Sequence, residues 1–296
     1  MKLSSAYLLV SHGSRDPRPQ AAVERLAQLV CQKLQEIEQP LQDDLDSKVS
    51  LTKPGVDSDP IAVMATRTTQ RSQFSRNTPW APLVATACLE LSPFPLHQQI
   101  AALSDRLVAA GCDRLQVVPL FLLPGTHVKE DIPAEVNLVM QYLQAQAQAQ
   151  TKTRPSLSID LLPHLGTHPG LQQLLINQLG DRSDAALILL AHGSRRRGGN
   201  QPVEEIAAQV GAVPAYWSVL PSLEMRITEL VQAGHLRICI VPYFLFAGGI
   251  TDAIAQSVAY LAQQFSGVQL ELSEVLGVSP ALADLVVDLI LDRQWK

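Results

Sequence analysis

The 296-residue chain holds four cysteines, Cys31, Cys88, Cys112 and Cys239, and no two form a CxxC pair. That spacing argues against a structural zinc site or a redox dithiol. Isolated cysteines on apolar segments read as buried thiols in a reducing compartment. There is no long apolar run near the start: Tyr7-Leu8-Leu9-Val10 precedes His12 directly, too short for a signal-peptide core or a membrane span. These absences point to a soluble, cytoplasmic protein. Excess positive charge is also missing. The formal net charge is −5, which excludes the basic surface that nucleic-acid binding needs. A local basic cleft remains compatible with an anionic ligand. Charged residues make up only 17% and hydrophobic residues 47%, as expected of an α/β protein with well-buried strands and far from a disordered composition.

What the chain does contain is an internal repeat. Leu8-Leu9-Val10-Ser11-His12-Gly13-Ser14-Arg15 returns as Ile188-Leu189-Leu190-Ala191-His192-Gly193-Ser194-Arg195. Val117-Val118-Pro119-Leu120-Phe121 through His127 returns as Ile240-Val241-Pro242-Tyr243-Phe244 through Ile250. Leu165-Gly166-Thr167-His168-Pro169 returns as Leu276-Gly277-Val278-Ser279-Pro280. The repeat predicts two pseudo-symmetric domains, 1–182 and 183–296, with a cleft between them. Because Ile250 stands where the first half has His127, the chemistry belongs to the first half and the second is degenerate.

Short apolar runs alternate with helix-periodic stretches in both halves, which predicts parallel sheets covered on both faces. Residues 43–79 are polar, aperiodic and without a counterpart of similar length in the second half. They read as a solvated insertion, with a lid as the alternative. Ligands of parallel α/β sheets bind beyond the carboxyl ends of the strands. His12, Glu90 and His127 each follow a predicted strand and should converge on one edge, facing the cleft.

Two imidazoles and a carboxylate at one rim make an open, labile site for a borderline divalent metal. Imidazole also accepts protons near neutral pH. Any one of these residues alone would read as a polar loop residue; the repeated placement argues for function. His192 is the counterpart of His12, either a substrate contact or a remnant, and Ser218 is the approximate counterpart of Glu90. Ser14 or Asp16 is positioned to cap the following helix. Arg15 and Arg18 flank the first His-Gly-Ser loop and Arg195, Arg196 and Arg197 the second; guanidinium groups suit carboxylate binding. Glu130 is a candidate proton relay. His164 and His168 read as structural, and His97 and His235 as surface or helix-end residues.

Leu9-Val10-Ser11-His12-Gly13-Ser14-Arg15, Leu89-Glu90-Leu91 and Val118-Pro119-Leu120-Phe121-Leu122 with Gly125-Thr126-His127-Val128-Lys129-Glu130-Asp131-Ile132-Pro133 resemble the sirohydrochlorin chelatase family in its long two-repeat form. The resemblance covers nearly the whole chain outside the insert. It implies two tandem Rossmann-like α/β domains of the class II chelatase kind, with the site in the cleft. It also implies ATP-independent insertion of Co²⁺ or Fe²⁺ (Ni²⁺ is accepted by the same ligands) into sirohydrochlorin, an octacarboxylate tetrapyrrole, for siroheme or cobalamin synthesis. His12 and His127 would handle the metal and pyrrole protons, and Glu90 would complete the metal shell or relay protons. Arg15, Ser14, Arg195 and His192 would meet the substrate. The metal would be a substrate, with no permanently bound cofactor, and the two halves in one chain favour a monomer. Two rivals remain: a non-catalytic metal or tetrapyrrole carrier, and a histidine-phosphatase-like phosphoryl transferase. The second expects an arginine before the histidine, where this chain has Ser11 and Ala191.

Overall fold

The computed structural model describes residues 5–49, 83–149, 157–180 and 184–291. The first half runs β1 (Ser5–Ser11), α1 (Pro17–Val49), β2 (Leu83–Cys88), α2 (Leu96–Ala109), β3 (Arg114–Pro119), a five-residue π-turn (His127–Asp131), α3 (Ile132–Ala149), β4 (Ser158–Leu161), a 3₁₀ turn (Leu165–Thr167) and α4 (Gly170–Leu179). The second runs β5 (Ala186–Ala191), α5 (Gln201–Gln209), β6 (Ala212–Tyr216), α6 (Leu223–Gln232), β7 (Arg237–Pro242), α7 (Gly249–Gln264), β8 (Gln269–Leu272) and α8 (Pro280–Ile290). The sheets are all-parallel and have the same order, β2-β1-β3-β4 and β6-β5-β7-β8. The fold is two tandem Rossmann-like α/β halves, as the repeat predicts.

Two details differ from expectation. The apolar run of the repeat motif, Val117 to Phe121, is strand only as far as Pro119, so Leu120 to Thr126 form the loop that carries the chain to His127. The insertion expected from residue 43 begins as helix, since α1 continues to Val49; residues 50–79 of that insertion lie outside the described residues.

Each central strand is buried on both faces. In β1, Tyr7 and Leu9 face Val23, Leu26, Val30 and Leu34 of α1, while Ala6, Leu8 and Val10 face Ile100 and Leu107 of α2 and Val136 of α3. This two-residue alternation, apolar on both sides, is why the strand reads as one continuous apolar run.

The last helix of each repeat crosses over. Leu282, Val286, Leu289 and Ile290 of α8 complete the core beneath the first sheet, packing along α1 with Tyr7 and Leu9. Leu171, Leu175 and Leu179 of α4 pack with Leu189, Ala191 and Val241 in the second half. Burying a leucine or isoleucine side chain contributes roughly 1.5–3 kcal/mol, so each half draws a full layer of its core from the other. The two halves are therefore tied together through apolar packing.

Candidate metal centre at the strand ends

Strand order sets the site. β1 is central, with β2 on one side and β3 on the other, and the register pairs Ser11 with Cys88 and Val10 with Pro119. Parallel neighbours end on the same edge, so the segments that follow all three strands share one rim. His12 follows β1 at once and Glu90 lies two residues beyond β2. His127 is reached through the loop after β3.

The chain clamps the first two together. Glu90 donates its backbone N–H to the carbonyl of His12 at 2.9 Å. Gly13 makes this approach possible: its φ is +96°, and a Cβ there would lie 2.0 Å from the Glu90 carbonyl oxygen. Only glycine meets both demands.

The imidazoles of His12 and His127 stand nearly perpendicular, at 82°, with centroids 4.8 Å apart. Phe121, on the β3 loop, lies against both rings, with centroids 6.4 Å from His12 and 6.1 Å from His127. Glu90 Oε2 is 3.9 Å from His12 Nε2. One ligand atom from each of His12, Glu90 and His127 lies within 4.8 Å of the others. Bonds of about 2.1 Å at tetrahedral angles ask for ligand atoms about 3.4 Å apart. Small rotations of these partly exposed side chains close that gap. Three ligands on an open rim leave coordination positions free, which suits a metal that arrives and leaves.

The partners of the ring nitrogens fix which nitrogen faces the site. His12 Nδ1 is 3.2 Å from the Gly13 carbonyl and His127 Nδ1 is 2.7 Å from Asp131 Oδ2. Both partners can only accept, so each Nδ1 carries the proton and each Nε2 keeps its lone pair for a ligand. Asp131 is a candidate positioning residue to which the sequence alone gives no role. Its spacing is nevertheless a signal, since a histidine and a carboxylate four residues apart share a helix face. Phe121 lies in the repeat motif, but only its place against both imidazoles gives it a role. The π-turn at His127–Asp131 is itself a device found at functional sites. The matching Ile250 opens an ordinary α-helix, and the residue four further on is Ile254, fully buried.

The second half repeats the scaffold without the ligands. Ser218 donates its N–H to the His192 carbonyl at 2.9 Å, as Glu90 does to His12, so Ser218 is the counterpart of Glu90. His192 Nδ1 is 3.1 Å from the Gly193 carbonyl. The imidazole keeps its orientation, but neither a carboxylate nor a second histidine stands at the matching positions.

The remaining expected residues fall as follows. Ser14 Oγ accepts from the Asp16 N–H, and Asp16 Oδ1 accepts from the Arg18 N–H, so Asp16 caps α1 while Ser14 shapes the turn. Arg15 and Arg195 are exposed on their loops. Glu130 does not reach His127 as a relay; it pairs with Arg196 at 2.5 Å. His164 and His168 are buried. Burial, and secondarily the Lys129 charge, lowers the pKa of His164. Burial also lowers that of His168, against the opposing pull of Asp288. His168 Nδ1 accepts from the Gly170 N–H at the start of α4. His97 bonds Glu135 through Nδ1 and its backbone N–H, joining α2 to α3.

The model of the CbiX family matches residues 64–182 and again residues 186–293. The chain belongs to the CbiX family. Like its fold, the family match is double, and the first match begins after His12. Among curated proteins, the chain is 24% identical over 220 residues to a sirohydrochlorin cobaltochelatase of Priestia megaterium, covering 69% of this chain and 67% of that one. It is 33% identical over 138 residues to a chloroplastic sirohydrochlorin ferrochelatase of Arabidopsis thaliana, covering 43% and 59%. In fold it resembles SirB from Bacillus subtilis with Fe³⁺, at a TM-score of 0.65 and 20% identity over 98% of this chain and 95% of that one. It also resembles a CbiX described as the terminal enzyme of siroheme biosynthesis in denitrifying bacteria, at a TM-score of 0.54 and 19% identity over 98% and 100%.

Proposed function

We propose that this member of the CbiX family is a lyase that inserts a divalent metal, Co²⁺ or Fe²⁺, into sirohydrochlorin without ATP. The observation that carries the reading is the convergence of His12, Glu90 and His127 on one open rim, with ligand atoms within 4.8 Å. The curated relatives named as cobaltochelatase and ferrochelatase support it.

Insertion exchanges one M²⁺ for two pyrrole protons. The metal, a substrate, is held by the Nε2 atoms of His12 and His127 and by the Glu90 carboxylate, with its remaining positions open to the ring nitrogens. As the nitrogens replace the protein ligands, the freed imidazoles accept the two protons. Glu90, half-exposed beside His12, passes them to water. Asp131 stabilises the His127 imidazolium formed in this step. Phe121 limits the swing of both rings, keeping the donors where the macrocycle arrives. Arg15, Ser14, Arg195 and His192 lie on the two His-Gly-Ser loops, where they meet the ring's carboxylates. In this reading the protein is a cytoplasmic monomer that keeps no cofactor between turnovers. Among the described residues, no helix is long and apolar enough to cross a membrane.

The test is an absorbance assay on sirohydrochlorin with Co²⁺ and Fe²⁺ in parallel. Conversion of the free-base spectrum to that of the metallated ring is the expected result. Binding of metal or ring without that conversion would make the protein a carrier. Hydrolysis of a generic phosphate ester in place of metallation would make it a phosphoryl-transfer enzyme.

A further inference from the structure

Two arginines cross between the halves. Arg18, in the first turn of α1, binds both Asp16 and, in the first turn of α7, Asp252. Arg196, on the loop after β5, binds Glu130 at 2.5 Å and donates to the Thr126 hydroxyl at 3.2 Å. They are not equivalent in the repeat, where Arg196 aligns with Asp16 and Arg18 with Gly198, but each reaches the segment after the opposite half's third strand. Their surroundings differ. Arg18 lies between two carboxylates that more than neutralise it, the setting of a fixed staple. Arg196 has one carboxylate partner, and the two side chains are 50% and 57% exposed. The Arg18–Asp252 pair is as exposed and as screened by water, so it is the single carboxylate partner that makes Arg196 the more easily exchanged of the two.

Arg196 is also placed at the chemistry. Thr126 directly precedes His127 in sequence and Glu130 follows three residues later, so the second half delivers a guanidinium to the turn that carries a metal-binding imidazole. That turn also carries Lys129, Glu130 and Asp131, and an anionic ring arriving there meets the two carboxylates beside the one ammonium. Arg196 masks Glu130, while Asp131 is engaged by His127.

We propose that Arg196 is a carboxylate anchor for the anionic tetrapyrrole, and that Glu130 occupies it in the substrate-free protein until a substrate carboxylate takes its place. This rests on the function proposed above. The planar guanidinium holds Glu130 through Nη2 and the Thr126 hydroxyl through Nη1, and the same fork can take a substrate carboxylate with little change of position. Thr126 keeps its nitrogen fork aimed during the exchange. Glu130 thus competes with the substrate, and its charge sets the affinity for the ring.

The test compares Arg196→Ala, Arg196→Lys and Glu130→Gln with the unaltered protein. It measures the dissociation constant of metal-free sirohydrochlorin by absorbance titration and KM and kcat by metallation. Arg196→Ala should weaken ring binding and raise KM on the order of tenfold. Arg196→Lys should recover part of the loss. Glu130→Gln should do the reverse and tighten ring binding, because a neutral amide holds Arg196 less firmly. Affinity for Co²⁺ alone, read from its visible spectrum, should stay within about twofold in the arginine variants. Weakened ring binding in both Arg196→Ala and Glu130→Gln would make the pair a structural latch and overturn the proposal. Unchanged ring binding in both would overturn it too. Where the unaltered protein metallates sirohydrochlorin, these outcomes remove only the assignment of Arg196. Where it neither binds nor metallates the ring, the proposed function falls and takes the anchor with it.

Discussion

Asp131 accepts the Nδ1 proton of His127 at 2.7 Å, four residues on across the π-turn. That bond occupies Nδ1 of His127 and leaves Nε2 for a ligand, in a cluster where one ligand atom each of His12, Glu90 and His127 lies within 4.8 Å of the others. A carboxylate behind a ligating imidazole fixes its tautomer and raises its basicity, and losing such a partner typically costs 10- to 100-fold in metal affinity or activity. Asp131→Ala should therefore weaken Co²⁺ binding by roughly that factor, read by spectroscopic titration, while the thermal midpoint changes little. Asp131→Asn should fall between the two, since its amide oxygen still accepts. Unaltered Co²⁺ affinity in Asp131→Ala would mean that the turn alone aims the ring.

The repeat supplies a control. His12 and His192 sit in equivalent loops with the same Nδ1-to-carbonyl arrangement, but only His12 has Glu90 and His127 beside it. His12→Ala and His127→Ala should each abolish insertion in a folded protein. His192→Ala should cost far less, within about tenfold if it contributes a single substrate hydrogen bond. Equal losses in initial-rate assays of His12→Ala and His192→Ala would place chemistry in the second half.

Much of this was legible in the sequence because local periodicity and long-range packing agree. The β1 and β5 runs and the alternation of strand with helix in both halves follow from patterns within a few residues. The convergence of His12, Glu90 and His127 follows from one topological rule about parallel strand ends. What was not legible is set by distant partners. The π-turn, which gives His127 its Asp131 partner, leaves no mark in the apolar pattern. Glu130 looked like a relay because it is near His127 in the chain, but a guanidinium from the other half holds it. Nor does anything in the sequence of α8 tell that its apolar face covers β1 rather than β5.

Gly13 is a position where a single methyl group should be decisive. At φ +96° with the Glu90 carbonyl 2.0 Å from where a Cβ would stand, Gly13→Ala must move the Glu90 loop. Backbone strain of this kind costs on the order of 1–3 kcal/mol, and the clash adds to it. The variant should be less stable by at least that much in denaturant unfolding and should bind Co²⁺ weakly. Native metal affinity in Gly13→Ala would show that the Glu90 loop relaxes at no functional cost.

The exchanged helix predicts where instability will appear. Leu282 and Val286 are fully buried beneath the first sheet. Leu282→Ala should cost about 2–5 kcal/mol. Its effect should reach β1 and α1 before β5, as faster amide hydrogen exchange in residues 5–11 and 17–37. Leu175→Ala in α4 should loosen the second half instead. If each substitution affected only its own repeat, the crossover would not contribute to stability.

Acid should destabilise the fold through its two buried histidines. Burial lowers the pKa of His164 and of His168 below the ordinary value near 6.5. The unfolded chain therefore takes up protons at a pH where the folded chain still resists them. The stability they contribute is fully present above about pH 6.5 and declines as pH falls toward their depressed folded values. The thermal midpoint should drop between pH 7.5 and 5.5. His168→Asn keeps an acceptor for the Gly170 N–H but cannot be protonated in that range, so it should flatten the decline. His164→Asn should flatten it as well, and the double variant more than either. Parallel midpoint-versus-pH curves for all four proteins would assign the acid sensitivity to other groups.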